Sequence, residues 1–387
     1  AKLLGCELVL NHHVQHANEL WFTSNDNLDT ESYLYAARDR FWRGIKHVMN
    51  FTPPISAYTT TLNCIRHNYP WKASINSMLG FADEVVVVDG GSDDGTWEEL
   101  KSWSDKENKL VIKKIDRDWD HPRFAVFDGA QKAEARKLCT GDFCWQQDAD
   151  EIVHENDYQK VRDLVRNFPK HAELVSLPLV EYWGKSGKTR VDVNPWKWRL
   201  SKNNKSITHG IPSDLLKIDN ENNEYASPGT DGCDYIFDHD NSRVPHASFY
   251  TEEIHNVRSH ALSGNKDALS TYRDWVNRVM ELYPTIHHYS WYDLPRKIRT
   301  YRDYWSKHWQ SLYDIPQDDT AKNNMFFQKP WSEVTENDID ELGKKLGDEL
   351  GGWVFHSPVD FSRPTPSMTL NVSHPKLILD WINRVEK

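Results

Sequence analysis

The stretch that most constrains this chain is EVVVVD, residues 84–89. Four consecutive valines leave no polar face, so the run suits a parallel strand covered on both sides rather than a strand with one side in water. What surrounds it repeats the same logic. ISAYTTTLN (55–63) is a β-branched strand, and YPWKASINSMLGF (69–81) carries helical spacing and ends at Gly80. The loop GGSDDGT (90–96) leads into TWEELKSWSDK, a helix acidic in its first turn, and then KLVIKKID (109–116) makes another strand. FDGAQKAEARKLCTGD (127–142) predicts a helix stopped by Gly141, followed by the short strand FCWQQ (143–147). Repeated β-α-β units of this kind predict an α/β chain, Rossmann-like, with a mainly parallel, doubly wound sheet.

Two of these strands run out in acidic residues. Asp89 ends the valine run, and QQDADEIVHE (146–155) places Asp148, Asp150 and Glu151 where the fourth strand stops. Ligands of open α/β sheets bind beyond the carboxyl ends of the strands, so both acidic ends point to one site. Carboxylates so placed suit a hard divalent cation, Mn²⁺ or Mg²⁺, held against a diphosphate. A lone D-x-D is more simply a solvated loop; the matching strand order is what favours the metal.

Past residue 171 the pattern loosens. ELVSLPLVEYW (173–183) and PWKWRLS (195–201) read as strands between Asn/Gly/Asp-rich loops. Beyond 252 helical stretches dominate, notably 290–313, with further helices near 335–350 and at 376–386. The N-terminal residues 1–54 read as an extension with a helix around 33–51, closed off by Pro53-Pro54.

A net charge of −11 gives no general pull toward nucleic acid or anionic membrane. Five cysteines without C-x-x-C spacing favour neither a disulfide framework nor a zinc site. With no long apolar run and no signal-peptide pattern at AKLLGCELVL, the expectation is a soluble protein of the cytoplasm, or of the host cytoplasm if viral. Seventeen tryptophans are abundant, and aromatic faces stack on sugars as readily as they fill a core.

Four pieces, in order, resemble family 2 glycosyltransferases of the GT-A fold: TTTLNCIRHNYPWKASINSML, DEVVVVDGGSDDGT, GAQKAEARKLCTGDFCWQQDADE and HHYSWYDLPRKIRTY. A subgroup of that family is similar in its ADE-hydrophobic-hydrophobic-HE run and a later HY-small-W motif, here Ala149–Glu155 and His288–Trp291. The resemblance implies a GT-A domain over 55–250, with a nucleotide-sugar half (55–151) and an acceptor half (152–250). A mostly helical C-terminal region (251–387) would complete the site. Residues 1–54 and about 311–387 have no counterpart in it.

By the same resemblance, Asp89 contacts the nucleoside, while Asp148 and Asp150 hold the metal and the donor diphosphate. Some relatives carry glutamine where Asp148 stands, which makes Asp150 the stronger ligand. His288 matches the late histidine that GT-A enzymes recruit to the metal; His246 is its rival, and a packed core histidine is the plain alternative. Thr60, Asn63 and Asp94 join Asp89 as donor contacts, although D-G-G-S-D-D-G is also what a tight turn looks like. Arg66, Lys132 and Arg136 are cations near the crevice that suit phosphate, with a surface charge as the plain reading of each. The stripe on helix 295–312 reads as core, and its arginines face diphosphate or a polyanionic acceptor. For a general base the candidates are Asp214 in HGIPSDLL and Glu253 in YTEEIH.

The implied activity is metal-dependent transfer of a sugar from a nucleoside-diphosphate sugar, UDP-sugar favoured, to a hydroxyl. The acceptor would be a glycan, a lipid-linked sugar or a modified base of viral DNA, the last disfavoured by the acidic balance. Two alternatives stand beside it. A sugar-phosphate nucleotidyltransferase would show a Gly-rich first loop followed by Arg and Lys, which ISAYTTTLNCIRHNYP lacks. A catalytically silent glycan-binding protein on the same fold would bind sugar without nucleotide.

Overall fold

The computed structural model describes residues 38, 52–119, 124–169, 172–204, 207, 216–218, 224–226, 249–305, 327, 329–349 and 366–386. The chain divides into two units, Ala1–Thr52 and Pro53–Lys387, and the architecture below is that of the second.

Its first half alternates strand and helix: β1 (Ile55–Thr61), α1 (Trp71–Phe81), β2 (Glu84–Asp89), α2 (Thr96–Ser104), β3 (Leu110–Lys114), α3 (Phe124–Lys137) and β4 (Phe143–Gln146). β1 pairs in parallel with β2 and β4, and β2 with β3. The valine run is buried on both faces as its composition requires. Val85 and Val87 pack into the cluster beneath α1, while Val86 and Val88 join Tyr58, Ala135 and Cys144 on the α3 side. Each fully buried valine contributes on the order of 1.5–3 kcal/mol. Gly80 is not a helix stop: it lies inside α1, where a Cβ would strike the Tyr158 ring.

After β4 come β5 (Glu151–Val153), α4 (Tyr158–Arg166), β6 (Leu174–Trp183), β7 (Lys188–Arg190), β8 (Trp196–Lys202), β9 (Leu216–Ile218) and β10 (Glu224–Ala226). Then follow α5 (Glu252–Leu262), α6 (Lys266–Leu282), β11 (Ile286–Trp291), α7 (Leu294–Thr300), α8 (Glu336–Glu349), β12 (Ser367–Thr369) and α9 (Leu379–Val385). Among the described residues the main sheet runs β12-β7-β6-β8-β4-β1-β2-β3, with β11 against β5 and β6. β8 is antiparallel to β4 and β6, so the parallel half gives way to a mixed one.

One expected helix is shifted. The reading of 290–313 as helical fails at its start, because Ser290 and Trp291 belong to β11 and the helix begins at Leu294, with Asp293 as cap and Pro295 in its first turn. His287 and Tyr289 face one side of β11, and His288 faces the other; the aromatic neighbours hide this period of two in the sequence. A π-helical turn, Tyr301–Trp305, follows α7, and positions 306–326 lie outside the described residues. The last segment does not stand apart: Tyr289 and Tyr292 pack with Trp381, whose indole Nε1 donates to the Asn68 carbonyl oxygen at 2.9 Å.

Candidate active site

The order β3-β2-β1-β4 reverses between β1 and β4, and this switch point opens a crevice beyond the strand ends. On the β1–β2 side the chain is closed by its own polar groups. Asp89 is fully buried. It accepts from Thr61 Oγ1 (2.8 Å), Ser92 Oγ (2.7 Å) and the backbone N–H groups of Gly91 (3.0 Å) and Ser92 (2.7 Å). Gly91 has φ +99°, where a side chain would be strained and would also meet Asp116. Asn63 receives the Asp93 N–H on its Oδ1 at 3.0 Å, and its own N–H donates to Ser92 Oγ at 2.8 Å. Asp94 accepts from the backbone N–H of Arg66 (2.7 Å) and from Thr96. Arg66 is exposed and pairs with Asp93 at 2.9 Å, and Thr60 is half-buried opposite Val88.

On the β4 side the acidic turn is closed by residues far away in sequence. Glu151 N–H donates to the Asp148 carbonyl oxygen at 3.0 Å, making the turn. Gln147 Nε2 donates to Ser74 Oγ, Ser77 Oγ and the Glu151 carbonyl, fixing it to α1. Arg199 of β8 then binds Glu151 through Nε (2.8 Å) and Nη2 (2.7 Å) and reaches Asp148 Oδ2 at 2.9 Å. Lys132 of α3 takes Asp148 Oδ1 at 3.0 Å, and Lys197 takes Glu151 Oε1 at 3.0 Å. Burial alone would raise the Asp148 and Glu151 carboxyls. The facing cations, Lys132 and Arg199 for Asp148 and Arg199 and Lys197 for Glu151, outweigh it and hold both below the usual range.

Asp150 is placed differently. Its Oδ1 lies 3.4 Å from His288 Nε2 and its Oδ2 3.8 Å from Arg296 Nη2. Glu181 of β6 stands 3.5 Å from the other ring nitrogen of His288, so the imidazole bridges two buried carboxylates. Burial and Lys197 would lower the His288 pKa, but Glu181 and Asp150 prevail and raise it to about 8. Against the cost of its own burial, Glu181 is held down at about 2, chiefly by His288. Lys297 donates to Ser290 Oγ at 2.5 Å, and burial pushes its ammonium down to about 8.

The structure thus brings Lys132, Asp148, Asp150 and His288 together and sets the Asp89 loop on the other rim. Arg136 faces elsewhere: its guanidinium is buried against Ser201 Oγ and the carbonyl oxygens of Lys202 and Ile207, where it ties α3 to β8. Glu253 lies exposed in the first turn of α5. Asp214 and His246 lie outside the described residues. Sequence reasoning missed Lys197, Arg199 and Glu181 as parts of the site. The signal for the first two was present in WKWRLSK, where period-two spacing sends Trp196 and Trp198 to a core and the two cations to the crevice.

Comparison with known proteins bears on this arrangement. Residues 71–212 match the family described as Glycosyl transferase family 2. That segment carries α1, the acidic turn and β8, and the α/β fold, parallel over β3-β2-β1-β4, mixed beyond β4 rather than mainly parallel throughout, and helical toward the C-terminus, is of the GT-A class. No curated protein matches the chain in sequence. Among solved structures, TarS 1–349 of S. aureus is similar at 15% identity and TM-score 0.30, covering 68% of this chain and 93% of that one. The mannosyltransferase PcManGT of Pyrobaculum calidifontis, in complex with GDP-Man and Mn²⁺, shares 14% identity at TM-score 0.28, over 45% of this chain and 54% of that one. Glucosyl-3-phosphoglycerate synthase of Mycobacterium tuberculosis, with Mn²⁺ and UDP, shares 16% at TM-score 0.25, over 39% and 57%. The chain spans 28% of one TarS structure and 47% of another, the 1–349 fragment with UDP. No helix among the described residues is long and apolar enough to cross a membrane.

Proposed function

We propose that this chain is a glycosyltransferase that moves a sugar from a nucleoside-diphosphate sugar, with UDP-sugar favoured, to an acceptor hydroxyl of a glycan or lipid-linked sugar. The observation that carries the reading is Asp150: a buried carboxylate at the β1/β4 switch point, inside the family-matched segment, facing His288 and Arg296 rather than closed by its own loop. Asp89 organises the opposite rim, where the nucleoside would lie, by fixing the 90–95 loop and the Asn63 backbone to one another.

Asp150 and His288 fit a hard divalent cation such as Mn²⁺ or Mg²⁺. A carboxylate oxygen and an imidazole nitrogen 3.4 Å apart can serve as adjacent ligands, and Glu181 orients the ring from its far side. Asp148 does not fit in this arrangement, since Lys132, Arg199 and Gln146 occupy its oxygens. Among the described residues no group of three His, Cys, Asp or Glu side chains could hold a metal ion, so substrate phosphates would have to complete the shell. With the cation bound, charge developing on the departing diphosphate is neutralised. Lys132 and Arg199 keep Asp148 ionised and the turn rigid. Proton removal from the acceptor falls to Glu253 or Asp214.

Release of nucleoside diphosphate from a panel of nucleotide-sugars, with Asp150→Ala beside the wild type, tests the reading. The wild type is expected to turn over at least one donor, and Asp150→Ala to fall by at least about 100-fold. Undiminished turnover by the variant overturns the site assignment.

A further inference from the structure

Arg296 is a buried cation with incomplete hydrogen bonding. It is 3% exposed, in the first turn of α7. Its Nη2 donates to the carbonyl oxygens of Ser290 (2.8 Å) and Tyr289 (3.4 Å), while its Nε and Nη1 are sealed from solvent with no acceptor among the described residues. A guanidinium presents five donors and does not deprotonate in proteins, so it cannot relieve the deficit by losing its charge. Buried donors without acceptors are rare in native structures and call for an explanation.

The position of the fork suggests one. Its Cζ sits 4.4 Å from the ring centroid of Tyr69, at the end of the loop that follows β1, and its Nη2 is 3.8 Å from Asp150, just after β4. Arg296 therefore stretches across the switch-point crevice from one rim to the other. Asp150 does not satisfy it, because 3.8 Å is beyond hydrogen-bond reach and the same carboxylate faces His288. Lys297, the next residue, adds a second cation beside the crevice without supplying an acceptor.

We propose that Arg296 binds the diphosphate of the donor, with phosphate oxygens as the acceptors that Nε and Nη1 lack. The assignment rests on the glycosyltransferase reading. In the transfer step the bond from the anomeric carbon to the terminal phosphate oxygen breaks, and its electron pair stays on that oxygen. The acceptor oxygen forms the new bond and gives up its proton to the base. Hydrogen bonds from a planar fork strengthen as that phosphate gains charge, which favours the transition state over the bound donor. The stacked Tyr69 ring must yield for a phosphate oxygen to reach the fork.

Calorimetric titration of the full chain with UDP, GDP, CDP and dTDP, and with each matching nucleoside, at fixed Mn²⁺, tests this in the wild type, Arg296→Gln and Arg296→Lys. For the diphosphate that binds the wild type, Arg296→Gln is expected to weaken binding by about 10- to 100-fold, with Arg296→Lys intermediate and the nucleoside unchanged. Unchanged diphosphate binding, or equal loss for nucleoside and diphosphate, overturns the assignment alone. A wild type that binds none of the four diphosphates overturns the glycosyltransferase reading and this assignment with it. If Arg296→Gln lacks a cooperative melting transition, Arg296→Lys decides: selective weakening toward the diphosphate supports the assignment, and its absence overturns it.

Discussion

Asp89 and Asp150 both lie where a buried strand runs out, yet the two carboxylates are used in opposite ways. Asp89 is saturated: hydroxyls and backbone N–H groups of its own loop and of the adjoining β1 strand occupy both oxygens. Among the described residues the Asp150 carboxylate meets side chains from β11 and α7, at 3.4 and 3.8 Å. The first shapes a rim, and the second keeps capacity for a ligand. Position at a strand end is therefore not enough to assign a role; what decides is how much hydrogen-bonding capacity the fold leaves over.

The largest effect should come from the long-range side of this comparison. Arg199→Met leaves the fully buried Glu151 with Lys197 and the Asp148 backbone N–H and strips Asp148 of one cation, so a loss of about 3–5 kcal/mol in urea unfolding is expected. A loss below about 1 kcal/mol would mean that the acidic turn holds itself. Asp89→Ala orphans four donors in one stroke, and about 3 kcal/mol should go with it. Asp150→Asn, by contrast, breaks no short hydrogen bond and leaves the buried His288 with Glu181, so its cost should stay below that of Asp89→Ala, at about 1–2 kcal/mol. If it destabilises as much as Asp89→Ala, the distinction between the two carboxylates collapses.

How much of this was legible beforehand follows from which forces are local. The β-α-β order could be read because β-branched runs and helical spacing are properties of short segments, and Asp89, Asp148 and Asp150 were visible as punctuation at strand ends. What closes the acidic turn was not visible. Arg199 meets Asp148 and Glu151 only because β8 returns antiparallel beside β4, a pairing no short segment announces. β5 and β11 escaped for the same reason: three residues of EIV become a strand only against His288 and its neighbours. Arg136 was misplaced because spacing gives the turn of a helix but not which strand its far end meets.

The smallest effect concerns the face of β11 turned away from the crevice. Burial lowers the pKa of His374, whose Nδ1 lies 2.9 Å from the Tyr289 hydroxyl, against a weaker upward pull from Glu386. A folded-state pKa below the unfolded one means that its stabilising contribution is present above about 6.5 and is lost as pH falls through the folded value. Melting temperature should accordingly drop from pH 7.5 to pH 5, and His374→Gln should shrink that drop. An unchanged slope in the variant would assign the acid sensitivity to other groups.

If Asp150 marks a nucleoside-diphosphate site, thermal stability with UDP, GDP, CDP and dTDP, each with and without Mn²⁺, will register it. Wild type and Asp150→Ala are to be compared. A ligand bound only by the folded state adds about 2.7 kcal/mol at a hundredfold excess over Kd, so a true donor nucleotide stands out. A Mn²⁺-dependent rise with one nucleotide is expected in the wild type and its loss in Asp150→Ala. No rise with any nucleotide, or an equal rise in both proteins, would contradict it.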